Sequence, residues 1–351
     1  MTHFLPLIID TDPGVDDALA LAWLLTQAAF DVHVLGIGVV AGNTSVQNAA
    51  RNALTVLHTV NRTDIPVAIG AKQPREFPLS QSNILIHGTD GLWGASQNHD
   101  LDGCTTDIAT FYRDLALAHP GATLLTMGPL TNVALAIERY PQALAQLGRL
   151  LILGGTKAKG SMTPVSEYNF WQDPHAAQIV LASGLPITLL IRDAFTAFQL
   201  SQADLAVICG GETAVPPILR TPIHLYTRLY TEVGGQTAAT IPDLAAVLVA
   251  VDPTFTTTQP ALVKIITEDG LTRGQTIIGQ TFSEQVTMIA DDDEMGRLAQ
   301  EAMQDPAFDF QARLAEILRR EPANVELVTA VDGPRMRQLF LETIKGTSQT
   351  T

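Results

Sequence analysis

The sequence of 351 residues has few cysteines and no long apolar run. Only Cys104 and Cys209 are present, without CxxC spacing, so we expect neither a disulfide framework nor a zinc site. No stretch approaches the ~20 apolar residues of a membrane-spanning helix, and the N-terminus lacks the basic start of a signal peptide. These absences predict a reducing compartment and a cytoplasmic location.

Positive charge is also scarce, because 21 Lys+Arg stand against 36 Asp+Glu and give a formal net charge of −15. Nucleic acids and anionic membranes bind basic patches, so we predict no nucleic-acid partner and no membrane partner. The charge is compatible with a bound divalent cation, although an acidic surface that keeps the protein in solution is the simpler explanation. Apolar residues make up 46% and charged residues 16%, which favours a deep core over disorder.

Three common catalytic or nucleotide-binding motifs are missing from the sequence. A GxSxG nucleophile turn, a GxxxxGK[ST] loop and a GxGxxG turn are all absent. Their absence argues against an α/β-hydrolase with a serine nucleophile, a P-loop protein and a dinucleotide-binding enzyme.

Short apolar runs alternate with segments of helical period over the first two-thirds of the chain. Strands are predicted at 5–10, 32–40, 65–70, 122–127, 150–153 and 187–191. Helices are predicted at 16–27, 43–60, 106–119 and 174–183, with a turn-rich loop over 72–103. Such alternation predicts an α/β fold, a mostly parallel open sheet with helices on both faces.

The last third has a different pattern and forms a smaller helical and hairpin part. Helices are predicted at 221–233, 243–251, 310–320 and 334–344, and strands at 261–267 and 274–278 suggest a hairpin. The acidic run ADDDE at 290–294 is predicted to be a surface loop. We expect residues 1–351 to form a single domain, with a surface insertion at 291–324.

The strongest chemical signal is IIDTDPGVDDALAL, from Ile8 to Leu21. A buried strand runs into four carboxylates around a Pro-Gly turn: Asp10, Asp12, Asp16 and Asp17. One such Asp often only caps a helix, but four folded into one turn repel each other unless a cation joins them. Hard oxygen ligands suit Ca²⁺ or Mg²⁺, whereas an EF-hand loop is disfavoured because Leu21 would take the place of its bidentate Glu.

Other unusual polar and glycine-rich turns follow the predicted strands. Asn43 follows the second strand, residues 127–132 follow the fourth, and residues 153–155 follow the fifth. In an open parallel sheet, ligands bind outside the carboxyl ends of the strands. We therefore expect these turns and the carboxylates to face one crevice.

DTDPGVDD at Asp10–Asp17 resembles the signature of the inosine-uridine-type nucleoside hydrolases. The likeness continues in family order to about residue 290, through VVAGN (39–43), IHG (86–88), MGPLTNVA (127–134), LGG (153–155), EYNFWQDPHAA (167–177) and, more weakly, PDLAAVLVAVDP (242–253). This resemblance implies the nucleoside hydrolase fold and the hydrolysis of ribonucleosides to free base and ribose. It also implies a homodimer or homotetramer.

The resemblance also assigns a Ca²⁺ site. Its protein ligands would be Asp12, Asp17, the backbone carbonyl of Met127, and Asp243. Asp12 matches, in addition, the general base that takes a proton from a metal-bound water. Such an ion lowers the pKa of its water and docks the 2′ and 3′ hydroxyls of ribose, which would also select ribose over deoxyribose.

The remaining roles implied by the resemblance concern the sugar. Asp16, Glu167 and Asn169 match residues that bind the ribose hydroxyls. Asn43 matches one that orients the water or the sugar, and Leu153 matches an apolar residue under the ribose. Cleavage of an N-glycosidic bond passes through an oxocarbenium-like sugar, whose positive charge nearby carboxylates stabilise.

Two positions depart from the family pattern. Pro242 stands where many members carry a His before the late metal-binding Asp, and Ser161 stands where an Asn is common. Protonation of the leaving base must then come from elsewhere, and His87 is the candidate by motif, with a merely supporting histidine as the alternative. Aromatic residues that could stack on the base, or simply fill the core, are Tyr226, Tyr230, Trp93 and Trp171.

Two other functions stay open from the sequence. A non-catalytic relative that binds nucleoside or ribose is suggested by the changes at Pro242 and Ser161. A phosphotransferase using Asp10 and Asp12 fits badly with the Pro-Gly turn and the two further carboxylates. We expect base preference to depend on the loop after residue 72 and the helices around 221–235.

Overall fold

A mixed sheet of nine strands runs through the protein, whose computed structural model describes residues 4–210, 213–305 and 307–344. The strands are β1 Leu5–Thr11, β2 Val32–Val39, β3 Val67–Ile69, β4 Thr123–Thr126, β5 Arg149–Leu153, β6 Ile187–Leu190, β7 Gln199–Ser201, β8 Ala238–Thr240, β9 Thr256–Ile265, β10 Thr276–Gly279 and β11 Val325–Val331. The sheet order is β10-β9-β11-β6-β5-β4-β1-β2-β3, and β7 pairs with β8 separately.

The helices cover this sheet. They are α1 Val15–Thr26, α2 Val46–Thr59, α3 Ile84–His87, α4 Ile108–Ala118, α5 Thr131–Arg139, α6 Pro141–Leu144, α7 Tyr168–Gln172, α8 Pro174–Leu181, α9 Arg192–Phe195, α10 Gln202–Ile208, α11 Pro217–Arg228, α12 Pro242–Val251, α13 Phe282–Ile289, α14 Asp292–Gln304, α15 Phe310–Arg320 and α16 Gly333–Ile344. A π-helix at Leu229–Val233 extends α11, and a 3₁₀ turn spans Pro253–Phe255. Among the described residues, no helix has the length and apolar character needed to cross a membrane.

The predicted parallel sheet is confirmed, and β1 to β6 correspond to the six predicted strands. Strands β3, β2, β1, β4, β5, β6 and β11 run parallel, which brings the carboxyl ends of β1 to β6 to one edge. The predicted hairpin is the antiparallel pair β9–β10, and β9 joins the sheet by pairing antiparallel with β11. The crevice is therefore framed by residues that follow these strands.

Helices α1 and α12 pack against each other and place their N-termini together. Both are apolar nearly all round and buried over most of their length, as expected for helices enclosed in a large core. Gly14 precedes α1 and Pro242 begins α12. As a result, the first turns of two buried helices face the same crevice, and each turn carries carboxylates.

The structure differs from the sequence prediction in several details. The acidic run at 290–294 is not a loop but the start of α14, where Asp291 Oδ1 accepts the Glu294 N–H at 2.8 Å; negative side chains stabilise a helix N-terminus. The loop over 72–103 contains the one-turn helix α3. Strand β11 was not predicted, because its pairing with β6 and β9 depends on residues distant in the sequence.

Candidate active site

Three buried carboxylates converge at the N-termini of α1 and α12. Asp16 and Asp17 lie in the first turn of α1, and Asp243 lies in the first turn of α12. Ligand oxygens of the three side chains lie within 4.8 Å of one another. The positive ends of both helices favour negative charge here, but three carboxylates at such distances repel each other strongly.

Asp12 lies at the end of β1, beside this group, and is 1% exposed. Its Oδ2 accepts the Asn43 N–H at 2.6 Å. A Cβ atom on Gly42 would stand 2.0 Å from Asp12 Oδ2, and one on Gly128 would stand 2.7 Å from Oδ1. Glycine is therefore required at both positions by the close approach of the carboxylate.

Burial raises the pKa of all four carboxyl groups, and repulsion between them adds to this effect at Asp12, Asp17 and Asp243. Burial is the main cause, and the charge of Asp17 adds to it at Asp12, whose pKa lies well above its usual range. The pKa of Asp17 is raised to about 6 by burial and by Asp16. Burial and the charges of Asp16, Asp17 and Asp12 also raise the pKa of Asp243 well above normal.

The donor set fits a hard divalent cation. Within the described ranges, Asp16 Oδ1 is buried without a hydrogen-bond partner. Carboxylate oxygens with few competing donors are what Ca²⁺ and Mg²⁺ require, and a dication would relieve the repulsion that raises these pKa values. The predicted ligands Asp17 and Asp243 belong to the group of three, and Asp16 rather than Asp12 is its third member.

A second set of predicted residues forms the adjoining wall beside β4 and β5. Asn169 Nδ2 donates to the Met127 carbonyl at 2.8 Å and to the Leu153 carbonyl at 3.0 Å. Glu167 caps α7, and its oxygens accept the N–H groups of Asn169 at 3.0 Å and Gly155 at 2.9 Å. These bonds fix Glu167 and Asn169 at the crevice and use one acceptor site of the Met127 carbonyl.

Asn43 connects the carboxylates to the loop that follows β3. Its Nδ2 donates to Asp17 Oδ2 at 3.1 Å, and its Oδ1 accepts from Asn83 Nδ2. Together with its backbone N–H on Asp12, Asn43 orients two carboxylates at once. Its side-chain amide is thus occupied in holding the site together.

His87 is buried at the crevice as a neutral imidazole. Its Nδ1 accepts the Val15 N–H at 3.1 Å, which leaves the proton on Nε2. Burial lowers the His87 pKa to about 4. A Cβ on Gly14 would stand 2.5 Å from Nδ1, so the glycine of the Pro-Gly turn makes room for this ring.

Two tyrosines of α11 and its π-helical extension complete the opposite wall. Tyr226 and Tyr230 are one turn apart, with hydroxyl oxygens 3.2 Å from each other. The Tyr226 hydroxyl also donates to Asp16 Oδ2 at 3.1 Å, and its ring centroid lies 5.7 Å from that of His87. Trp171 instead stacks on Arg273, and Trp93 Nε1 donates to the Ile86 carbonyl; neither tryptophan lines the pocket.

The pocket contains further residues that the sequence did not single out. They are Asn83, Ile86, Met162, Tyr168, Arg192 and Phe195. Arg192 lies just beyond the carboxyl end of β6, so the rule that identified Asn43 and residues 127–132 would also have found it. Asn83 carried no such signal, because its place depends on how the long loop folds back. Pro242 and Ser161, the two departures, also line the pocket.

Known proteins share this sequence pattern and fold. Residues 7–338 match the family model of the inosine-uridine preferring nucleoside hydrolases. The non-specific ribonucleoside hydrolase RihC of Salmonella paratyphi B is 34% identical over 303 residues, covering 84% of this chain and 95% of that protein. RihC of Salmonella typhi is similar to the same extent.

Solved structures of nucleoside hydrolases share the fold of this chain. A plant nucleoside hydrolase superimposes with a TM-score of 0.83 at 25% identity, over 97% of this chain and 99% of that one. A purine-preferring ribonucleoside hydrolase from Gardnerella vaginalis has a TM-score of 0.78 at 24% identity, over 97% of this chain and 98% of its own, and shares the fold.

Proposed function

The chain belongs to the inosine-uridine preferring nucleoside hydrolase family of glycosidases, and we propose that it hydrolyses ribonucleosides to free base and ribose with the help of Ca²⁺. The observation that carries this proposal is one pocket lined by Asp16, Asp243, Glu167 and Asn169, with the buried carboxylates Asp12 and Asp17 bound to Asn43 at its wall. Retaining such a cluster is costly unless an ion binds it, which favours an enzyme over a non-catalytic relative.

We propose Asp12, Asp17, Asp243 and the Met127 carbonyl as the protein ligands of Ca²⁺. The raised pKa values of the three carboxyl groups and the unpartnered Asp16 Oδ1 support a cation at this place. When bound, the ion supplies positive charge that acidifies water and holds the ribose diol. Asp16 is close enough to its neighbours to contact either the ion or a ribose hydroxyl.

Asp12 is our proposed general base, and the surrounding carboxylates stabilise the sugar. The Asn43 N–H holds Asp12 Oδ2, so the carboxylate keeps one orientation toward the crevice. Asp16, Glu167 and Asn169 bind the ribose hydroxyls, and Leu153 lies below the ring. As the glycosidic bond breaks, positive charge develops on the ribose close to the carboxylates, which lowers the barrier.

We propose that His87 assists the leaving base as a neutral donor. Pro242 has no side-chain donor, whereas the Nε2–H of His87 remains available once Nδ1 accepts the Val15 N–H. The pKa of about 4 means that His87 donates a hydrogen bond rather than a proton from an imidazolium at neutral pH. The hydroxyls of Tyr226 and Tyr230 stand beside it and extend this donor wall.

The direct test measures base release from inosine, uridine, cytidine and adenosine, with and without a chelator. We expect release that the chelator abolishes and Ca²⁺ restores, and a loss of about 10²–10⁴-fold in Asp12→Ala. Asp64→Ala, at an exposed Asp paired only with Arg62, is the matched control. Nucleoside binding without release from any substrate would support the non-catalytic relative instead, and turnover of a phosphate ester would support a phosphotransferase.

We also propose a cytoplasmic homodimer or homotetramer, built from one domain with a surface insertion at 291–324. In that segment α14 and α15 are mostly exposed and are joined by the ion pair of Arg320 with Glu294. Light scattering of the purified protein measures the oligomeric state. Deletion of residues 291–324 with retention of a cooperative unfolding transition would support the insertion.

A further inference from the structure

Arg192 places a positive charge in a pocket whose acidic residues are Asp16, Glu167 and Asp243. It begins α9, one residue after β6 ends, and its backbone N–H donates to the Gly155 carbonyl at 2.9 Å, which fixes where its side chain starts. The residue is partly buried and lines the same pocket as Asp16, Leu153 and Glu167. The guanidinium group of Arg192 is therefore part of the site.

The guanidinium of Arg192 has no protein partner in the described ranges, since no hydrogen bond or ion pair engages it there. Several other arginines are paired with carboxylates, such as Arg75 with Glu138 at 2.8 Å and Arg139 with Asp107 at 2.8 Å. Its five N–H donors, which lie in one plane, thus have no acceptor among the described residues. An unpaired guanidinium in a binding pocket is suited to an anionic oxygen group of a ligand.

The charge of Arg192 reaches both walls of the pocket. Burial raises the pKa of Glu167 and of Tyr230, and in each case the positive charge of Arg192 acts in the opposite direction. Glu167 belongs to the wall beside β4 and β5, and Tyr230 belongs to the opposite wall formed by the two tyrosines. Arg192 lines the same pocket as both residues, and its charge acts on both walls.

The strand order separates Arg192 from the carboxylates. Asp12 follows β1, whereas Arg192 follows β6, and β4 and β5 lie between those strands. Resting on the proposed function, a ribose held by its diol at the carboxylates directs its C1′ and C4′ substituents away from them. A group that reaches Arg192 must then be carried on the 5′ carbon or on the base.

We propose that Arg192 forms a subsite for an anionic oxygen group on the ribonucleoside substrate. Two sources present this chemistry: a 5′-phosphate, as in a nucleoside monophosphate, or an acidic oxygen on the base, as in xanthosine. The planar fork binds either one through paired charge-assisted hydrogen bonds. The site would then select anionic substrates against their neutral counterparts, despite the net charge of −15.

The test compares kcat/KM within two substrate pairs, inosine 5′-monophosphate against inosine and xanthosine against inosine. For the wild type, we expect kcat/KM for at least one anionic substrate to be equal to or higher than that for inosine. In Arg192→Met the ratio of anionic to neutral kcat/KM should fall about tenfold or more, with Arg192→Lys in between. The pair whose ratio falls identifies the source of the anion.

Arg62→Met is the matched control, because Arg62 is a surface arginine paired with Asp64 at 2.9 Å. Equal ratios in the wild type and Arg192→Met for both pairs, with inosine hydrolysis retained in the wild type, would overturn the subsite. If the wild type hydrolyses no nucleoside, the proposed function fails separately. In that case, calorimetry measures the dissociation constants of the three compounds for the wild type and Arg192→Met. An unchanged ratio of anionic to neutral affinity again overturns the subsite.

Discussion

The two sides of the pocket differ in the sign of the charge that they stabilise. The carboxylate side, Asp12, Asp16, Asp17 and Asp243, is crowded with buried acids whose pKa values are raised. The donor side, Asn83, His87, Arg192, Tyr226 and Tyr230, presents neutral N–H and O–H groups and one cation. Glycosidic cleavage leaves positive charge on the sugar and negative charge on the base, so the pocket is polarised in the direction of the reaction.

Removing one charge from the carboxylate side should have the largest effect. We expect Asp243→Asn to lose at least about 10²-fold in kcat/KM, because a proposed ion ligand and part of the sugar's stabilisation are lost. The metal-free variant should nevertheless unfold at a higher temperature than the metal-free wild type, since repulsion with Asp16 and Asp17 is relieved.

Thermal unfolding with chelator and with added Ca²⁺ measures this second effect. Ca²⁺ should raise the melting temperature of the wild type and have little effect on Asp243→Asn. Asp252→Asn, at the other end of α12 and paired with Arg335 at 3.1 Å, is the control. Equal stabilisation of Asp243→Asn and the wild type by Ca²⁺ would contradict the ligand assignment.

Asp10 is a further buried carboxyl group, which lies in the interior behind the carboxylate side. Its Oδ2 accepts from Asn132 Nδ2 at 2.7 Å and from the Tyr112 hydroxyl, while burial raises its pKa from 3.8 to about 7. The folded state therefore binds the proton more tightly than the unfolded state. Its contribution to stability is full below about pH 4 and is lost as the pH rises to about 7.

We expect the free energy of unfolding of the metal-free wild type, relative to that of Asp10→Asn, to fall between pH 4 and pH 7. At about 1.4 kcal/mol per pKa unit the difference reaches a few kcal/mol. Denaturant unfolding at several pH values, with chelator present, measures it. A difference that does not change with pH would show that Asp10 is ionised in the folded protein at all these values.

The carboxylate side was largely predictable from the sequence, because its chemistry is contiguous. Asp10 to Asp17 lie within one strand–turn–helix segment, and the carboxyl-end rule for parallel strands placed Asn43 and Met127 near them. The resemblance then added Asp243. The arrangement of these side chains was not predicted. Asp16, which the resemblance assigned to ribose, lies in the group of three carboxylates.

The donor side was harder to predict, since it is assembled by distant segments. Asn83 and His87 come from the loop after β3, and Tyr226 from α11; their approach depends on side chains such as Asn43 and on Gly14 making room. The same limit applied to β11, which has its partners far away in sequence. The acidic run at the start of α14 was predicted to be a loop because a helix start and a solvated turn have the same composition.

The donor side is tested most directly at His87. We expect His87→Phe to lower inosine hydrolysis by about 10–10²-fold, because a neutral hydrogen bond to the departing base is lost. A ribofuranoside with a nitrophenolate leaving group needs no such donor, so its hydrolysis should fall much less. His87→Gln restores an N–H donor and should recover part of the inosine rate.

The pH profile gives a second readout for the same residue. Because the His87 pKa is lowered to about 4, its protonation state does not change between pH 5 and pH 8. The ratio of wild-type to His87→Phe rates should therefore be constant over that range. A ratio that falls steeply above pH 6 would mean that His87 acts as an imidazolium, contrary to its hydrogen bond with Val15.

The smallest expected effect concerns the packing that supports the donor side, and not the charge on either side. Arg273, in the β9–β10 turn, lies 3.6 Å from the Trp171 ring centroid and 4.2 Å from that of Phe77. It thereby clamps the loop after β3, which carries Asn83 and His87, onto α7. The guanidinium is buried, and each stacked ring contributes up to about 2 kcal/mol.

We expect Arg273→Met to lower stability by about 1–2 kcal/mol and kcat/KM a few-fold, while the dissociation constant for Ca²⁺ stays unchanged. The clamp holds the donor side and makes no contact with the four carboxylates, so loss of Ca²⁺ affinity in this variant would contradict the division of the pocket. Asp269→Asn is the control, because that partner is 79% exposed on its side chain and 3.5 Å away. A surface ion pair of this kind contributes little, so the control should behave as the wild type.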